Sequence, residues 1–436
     1  MKKKSIIALM PLLVFIVIYF GVAIILKDFY AISVVVPFLI ASIVALIQNR
    51  ERTFDDKVIS FCKGGGNPDI IMMCLIFILA GAFGETAKSM GAVESTVNLG
   101  INFLPSFLLV PGIFLMAGFI STSIGTSMGT IAAFVPIALG ISEKTGISLG
   151  LIVGAVVGAS ILGDNLSMIS DTTIAAAKTQ NAELKDKFKV NFKITLPSAI
   201  VTMAILVILT LGKTANIGGV YEYQIIKVIP YIFVLASALM GVNVITVLTG
   251  GVVISAVIGF ITKDMTLKLL VDSIATGALN MGELIIVSIL IGGIVEIIKD
   301  NGGIEFIISF IASKIKSKRG AELGIAILVS IVNLFTANNT ISIVTVGPMA
   351  KEISETYDLD SSRVATLLDV FSCVIQSLIP YGAQLLSAAA LSALSPFAIL
   401  KYTYYPVVMG VFTIIFILGV KDNKKDNKVV VEEKAV

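Results

Sequence analysis

The stretch GDNLSMISDTT, residues 163–173, sets two carboxylates, Asp164 and Asp171, at the end of a long apolar run. Asn165, Ser167, Ser170 and Thr172 add amide and hydroxyl oxygens around them. Carboxylate, amide and hydroxyl oxygens are the ligands that hard cations take. Asp164 and Asp171 therefore read as ligands of a monovalent metal ion such as Na⁺, or as proton carriers. A carboxylate near a bilayer centre costs about 2.5–3.5 kcal/mol and needs a cation, a proton or water to offset it. Asp164 directly follows the uncharged run 145–163, which places it at depth. Asp171 has a plainer alternative, because SDTTIAAA also reads as a helix with Asp171 at its N-cap. An unbroken helix would put the two acids on one face, about two turns or roughly 10 Å apart.

Three further polar breaks interrupt apolar runs. STSIGTSMGT (121–130) offers Thr126, Ser127 and Thr130, TANNTIS (336–342) offers Thr336, Asn338, Asn339 and Thr340, and QSLIPYGAQ (376–384) offers Gln376. Residues 95–142 contain no charge, so the first of these lies deep in a membrane. Non-helical backbone is tolerated there only where protein buries it or it lines a cavity. Amides freed at such a break can hold a carboxylate, and freed carbonyls and hydroxyls a cation. The alternative is that small residues simply let helices approach, and GAVVG (154–158) is read that way. Glu85 and Lys88, and likewise Glu296 and Lys299, are spaced to pair along a helix. Asp369 lies furthest inside an apolar run among the remaining acids and is the outside choice for a second titrating site.

These breaks belong to a duplicated pattern. Gly81, Glu85, Lys88, Gly91 and Glu94 match Gly292, Glu296, Lys299, Gly302 and Glu305 at an offset of 211. PIALGISE (136–143) matches PMAKEISE (348–355) at an offset of 212. In that register the four breaks pair two by two, and Asp164 and Asp171 fall opposite Gln376 and Ala383. The division is 1–211, 212–420 and a charged tail, 421–436.

The elements that carry these residues are membrane helices. Of 436 residues 56% are hydrophobic and 14% charged, too few charges to coat a soluble domain of this size. The sequence predicts an all-α polytopic membrane protein of about 10–14 membrane segments. The first apolar stretch, 5–26, is longer than a signal core and reads as the first of them. With both termini in the cytoplasm, 24 of the 32 lysines and arginines fall on the cytoplasmic side. This works only if 147–178 and 364–394 each act as one interrupted span. The two repeats then insert in opposite orientation, an arrangement found in secondary transporters. Histidine is absent, which excludes a Ser-His-Asp triad and a histidine-held metal. Cys62, Cys74 and Cys373 have no metal-type spacing, and Cys74 and Cys373 read as small core residues. GKT (212–214) lacks the first P-loop glycine, since Val207 stands there, so no enzyme is expected. The net charge of +3 sits in membrane-flanking loops and gives no sign of nucleic-acid binding.

GTSMGTIAAFVPIALGISEKTG followed by GAVVGASILGDNLSMISDTTIAAAKTQ resembles the signature region of the NhaC-type Na⁺/H⁺ antiporter family, within a wider ion-transporter superfamily. The likeness covers most of the chain and is densest over 110–200. It implies a two-repeat fold with re-entrant hairpins and interrupted helices around one central site. It also implies that Asp164, Ser167, Asp171, Thr172 and the tip from Thr126 to Thr130 line an ion path. Two readings follow. One is Na⁺/H⁺ antiport by alternating access in the cytoplasmic membrane. The other is a Na⁺- or H⁺-coupled permease for an amino acid or small organic acid, for which a second-repeat motif without an acid, TANNTIS, leaves room. No cofactor is expected beyond the transported or coupling Na⁺ and H⁺. The lipid bilayer is the expected partner, and a homodimer is left open.

Overall fold

The computed structural model describes residues 5–26, 33, 35–49, 51–103, 105–168, 170–211, 221–240 and 242–419. The charged tail expected over 421–436 and the GKT stretch at 212–214 lie outside the described residues. Among those described, the regular structure is helical and contains no strand. A short 3₁₀ turn, Ile6–Leu9, leads into α1 (Met10–Leu26), α2 (Val35–Ile47), α3 (Phe54–Gly65), α4 (Pro68–Ser89) and α5 (Ala92–Phe103). Next come α6 (Ser106–Ile124), α7 (Ser127–Thr145), α8 (Leu149–Leu166), α9 (Asp171–Gln180) and α10 (Leu184–Thr210). The second half holds α11 (Ile225–Leu239), α12 (Val244–Ile261), α13 (Leu267–Asn280), α14 (Gly282–Asp300) and α15 (Gly303–Ala312). It ends with α16 (Lys318–Thr336), α17 (Asn339–Thr356), α18 (Ser361–Gln376), α19 (Ala383–Ser392), α20 (Pro396–Leu400) and α21 (Tyr404–Leu418).

Among the described residues, six helical runs are long and apolar enough to cross a membrane, and a seventh if the sharply bent pair 92–103 and 107–122 is one span. The expected 10–14 segments are reached only by adding shorter apolar helices of 10–17 residues, such as Val35–Ile47 and Tyr404–Leu418. These fall short of the roughly 20 residues that span a bilayer. Leu149–Gln180 is one interrupted span. Its break falls at Ser167–Ser170, between α8 and α9.

Helix α8 is the centre of the fold, with every residue from Gly150 to Asn165 buried. A helix buried on all faces needs apolar or small side chains all round. The sequence supplies both. Gly154 and Gly158 face Tyr402 and Tyr405 closely, and a Cβ at Gly154 would lie 2.8 Å from the Tyr402 backbone. The packing reading of GAVVG therefore holds. Closer to the acid, a Cβ on Gly163 would stand 2.1 Å from Ser121, whose hydroxyl donates to Ser160 O at 2.7 Å. Only glycine lets α6 and α8 meet there.

The backbone repeats its special conformations. Left-handed residues occur at Gly91, Gly125, Gly146 and Asn181, and again at Gly302, Ala337, Asp358 and Ala393. The offsets are 211 for the first pair and 212 for the others, the register of the sequence duplication. The cap positions Thr126 and Asn338 share extended backbone, φ −143° and −144°. Packing is reciprocal as well. Helix α9 packs on α17, and α19 packs on α7. Pro136 and Pro348 lie inside continuous helices and end neither of them.

Candidate functional site

The first break positions Asp164. Helix α6 stops at Gly125, which takes the left-handed conformation at φ 73° that glycine adopts without strain. Helix α7 restarts at Ser127, and Thr126 at its cap position makes no side-chain cap bond. The orphan amides of that turn need an acceptor. The Asp164 carboxylate, four percent exposed, provides it by accepting both the backbone N–H and the hydroxyl of Ser127. The carboxylate therefore sits on the positive end of the α7 dipole. Gln384 of the second half donates its amide to the same Ser127 hydroxyl at 3.0 Å. Thr130 Oγ1 donates back to Thr126 O at 3.2 Å, which closes the tip.

The second half repeats this contact with its polarity reversed. Gln376, opposite Asp164 in the duplication, donates Nε2 to Ala337 O at 2.8 Å, again at a helix break. Asn338 caps α17 itself, accepting from Ile341 N at 2.9 Å. Thr336 and Ser342 share a hydroxyl contact of 2.6 Å. Asn339 donates to Cys373 Sγ at 3.6 Å and accepts from Thr340 N at 3.0 Å. The first half thus brings a negative oxygen to a helix start, and the second half brings an amide donor to a helix end.

The two acids of GDNLSMISDTT do not share one environment. Helix α8 ends at Leu166 and α9 begins at Asp171, so no continuous helix joins them. Asp164 is buried and Asp171 is exposed. Ser170, not Asp171, holds the cap position of α9, and Asp171 is its first residue. An acid in a first helical turn is favoured by the helix dipole. Ser170 and Thr172 share a hydroxyl contact of 3.0 Å. Ser167 is buried just past the end of α8. Among the described residues no three Asp, Glu, His or Cys side chains gather as a metal centre.

Asp369 is the second buried carboxylate near Asp164, and the Thr173 hydroxyl lies between the two. It is fully buried on α18 and pairs with Lys187 at 2.6 Å, one percent exposed on α10. Asn191 donates to the same Asp369 oxygen at 3.2 Å and Thr173 at 3.4 Å. Lys187 also donates to Thr173 Oγ1 at 2.9 Å, and Thr173 donates to Asp164 O at 3.3 Å. The sequence marks Asp369 only as an outside choice, and it hides Lys187, which sits in a lysine-rich run that reads as a solvated flank. Cys373 is more than a core residue, since its thiol lies 3.7 Å from Asp369 Oδ1.

Among the described residues, several buried polar atoms around these groups lack a hydrogen-bond partner, the Tyr405 hydroxyl among them. Asn165 Oδ1, Asn191 Oδ1, Gln376 Oε1 and Gln384 Oε1 are buried carbonyl oxygens without a hydrogen-bond partner. Buried polar atoms ordinarily find partners. Carbonyl and carboxylate oxygens are the donor set a hard cation takes. On the other side of the second tip, a cavity of about 100 Å³ is lined by Thr336, Ala337, Asn338, Tyr381, Ser288 and Glu296 among others. Glu296 pairs with Lys299 at 3.7 Å and with Lys63 at 3.4 Å. Its counterpart Glu85 makes no ion pair with Lys88 among the described residues, so the symmetric pairing expected from the sequence holds in one half only.

The sequence is similar to one family model and to three characterised proteins. A model of the Na⁺/H⁺ antiporter family matches residues 1–211 and, separately, 189–420. The arginine/ornithine antiporter ArcD of Halobacterium salinarum is 23% identical over 420 residues, covering 88% of this chain and 85% of that protein. The Na⁺/H⁺ antiporter NhaC of Bacillus subtilis is 23% identical over 401 residues, covering 84% and 86%. The malate-2H⁺/Na⁺-lactate antiporter of the same organism is 19% identical over 376 residues, covering 78% and 80%.

Proposed function

The chain belongs to the Na⁺/H⁺ antiporter family, and from that premise we propose that it exchanges Na⁺ for H⁺ across the cytoplasmic membrane, with Asp164 as the carboxylate that takes the two ions in turn. The observation that carries this reading is the Asp164–Ser127 contact. A buried carboxylate rests on a broken helix end, next to carbonyl oxygens that lack partners. An isolated buried charge is costly. Two hydrogen bonds and a helix end stabilise the ionised form but leave its net charge in place, so a bound Na⁺ or H⁺ completes it. Because one carboxylate serves both ions, binding of either excludes the other. That competition is the coupling.

Asn165, Ser167, Ser170, Thr172 and the Thr126–Thr130 tip are the neutral oxygens of the path in this proposal. Asp171, exposed at the start of α9, attracts cations to it. Thr336, Asn338, Asn339, Thr340 and Gln376 form the opposite wall. We take the halves 1–211 and 212–420 as repeats of opposite orientation around this centre. The paired left-handed residues support a repeat, and the lysine asymmetry supports two cytoplasmic termini. Alternating access is then a movement of one repeat against the other.

A second reading has its own observation. The cavity beside Thr336–Asn338 has room for a small solute, and Asn338 and Thr336 offer polar groups at its wall. A Na⁺- or H⁺-coupled carrier of a small amino or organic acid would use that cavity for cargo and Asp164 for the driving ion. Purified protein in liposomes separates the two. A Na⁺ pulse that alkalinises or acidifies the lumen with no added solute supports exchange. A silent pH signal, with Na⁺-dependent uptake of a labelled amino or organic acid, would reject it in favour of the second reading.

A further inference from the structure

We propose that Lys187 is a tethered cation that occupies the second carboxylate of the centre, Asp369, so that the transporter takes up one fewer mobile cation per cycle. This rests on Asp164 being the ion carrier. Two buried carboxylates, Asp164 and Asp369, stand at the meeting of the two halves, with the Thr173 hydroxyl reaching Asp164 O at 3.3 Å and Asp369 Oδ2 at 3.4 Å. Each needs a positive partner in a dry region. Asp369 has one built into the chain, with Lys187 Nζ at 2.6 Å. Asp164 has hydrogen-bond donors but no cation of its own among the described residues. The arrangement divides two equivalent needs between a fixed charge and a mobile one.

Several features set Lys187 apart from a packing lysine. It lies in the first turn of α10, where the helix dipole opposes a cation. Its near neighbour Lys189 is well exposed and pairs with Asp186 one turn away. Lys187 instead turns inward and is one percent exposed. Its ammonium also takes Thr173 Oγ1 as acceptor at 2.9 Å, and Thr173 donates to Asp164 O at 3.3 Å. One hydroxyl therefore joins the fixed cation to the backbone of the ion-binding residue. Asn191, one turn further along α10, donates to both Asp369 Oδ2 at 3.2 Å and Asn165 O at 2.8 Å. Lys187 and Asn191 come from the first half and Asp369 from the second, so the charge pair spans the two halves. A buried ion pair is a weak device for stability alone, since an apolar pair of the same volume often serves as well. Its position beside Asp164 gives it a use in counting charge.

The test is the number of Na⁺ ions bound per protein, read by equilibrium binding of radioactive Na⁺ to the purified transporter, with Na⁺-driven proton flux in liposomes as the parallel measurement. Wild type showing no Na⁺-driven proton flux removes the exchange reading and this inference with it. Given that flux, K187M is expected to bind one more Na⁺ per protein, because Asp369 is then open to an ion. The neutral pair D369N/K187M is expected to return to the wild-type number. K187M at the wild-type number, or a folded D369N/K187M without transport, overturns the proposal while leaving the role of Asp164 intact. Should K187M fail to fold, D369N decides. It leaves the Lys187 charge unmatched near Asp164, so the Na⁺ half-saturation should rise by about tenfold or more. An unchanged half-saturation in D369N overturns the proposal.

Discussion

Replacing Ser127 with alanine removes one atom that serves two partners in two ways. The hydroxyl donates to Asp164 and accepts from Gln384 Nε2 at 3.0 Å. The first bond matters only when Asp164 is ionised. A hydrogen bond to a charged group contributes about 1.5–3 kcal/mol. The backbone N–H of Ser127 remains as a donor after the change, so the lower end applies, and about 1.4 kcal/mol is a factor of ten in binding. The second bond is independent of ion state. Its loss leaves a buried Gln384 amide unpaired at a cost of about 1–3 kcal/mol to the fold. S127A is therefore expected to raise the Na⁺ half-saturation about tenfold and to lower the melting temperature separately. S127T keeps a hydroxyl and should recover most of the affinity. The assay is Na⁺-dependent proton flux in liposomes, with thermal unfolding in detergent as the parallel measurement. A half-saturation within about twofold of wild type, below the tenfold expected of a charged hydrogen bond, would refute the claim that Ser127 holds the carboxylate. A fall in melting temperature alone would assign Ser127 to packing.

Two other outcomes follow from the geometry. G163V would drive a side chain into Ser121, where even a Cβ has only 2.1 Å. Overpacking costs typically about 1–3 kcal/mol and more where backbone must shift, so the variant should unfold at a lower temperature and lose transport, while G100V, at a site with open space, should do neither. In the loop between α12 and α13, hydrogen bonds from Lys227 and Thr262 hold the Asp264 carboxyl below its ordinary value. A lowered folded value means the contribution is present above the unfolded pKa of about 3.9 and fades as pH falls through the folded value. D264N should thus cost less than about 1 kcal/mol near neutral pH, as exposed pairs do, with no pH trend between pH 6 and 8 and a shrinking difference below about pH 4, measured by thermal unfolding.

Much of the fold is legible in the sequence because membrane burial writes itself into long uncharged runs. The apolar stretches at 70–87, 147–163, 244–262 and 321–335 coincide with α4, α8, α12 and α16. The breaks at 125–126 and 337–338 are marked by Ser, Thr, Asn and Gly in otherwise apolar surroundings, and the structure repeats them at an offset of 212. What the sequence hides is pairing at long range. Lys187 and Asp369 lie 182 residues apart, and Lys187 stands among Lys185, Lys189 and Lys193, which makes it look like one more cytoplasmic flank. Its burial is set by the entry of α10 beneath α18, which no local pattern records. Asp164 and Asp171 look alike in sequence, yet one is enclosed by α6, α7 and α8 and the other opens a new helix. The difference comes from where α8 unwinds, three residues past Asp164. Gln384 ends the polar stretch 376–384, but its link to Ser127 depends on α19 reaching across to α7.

The central claim is that the Asp164 carboxylate is the seat of coupling. Its most direct test is D164N in liposomes carrying a pH-sensitive dye, given an inward Na⁺ step with the membrane potential clamped. The asparagine keeps size and hydrogen-bonding capacity but cannot exchange a proton for a cation. D164N is expected to fold and to show no Na⁺-driven proton movement at any pH between about 6 and 9. Na⁺-driven proton flux at the wild-type rate and ratio in D164N would contradict it.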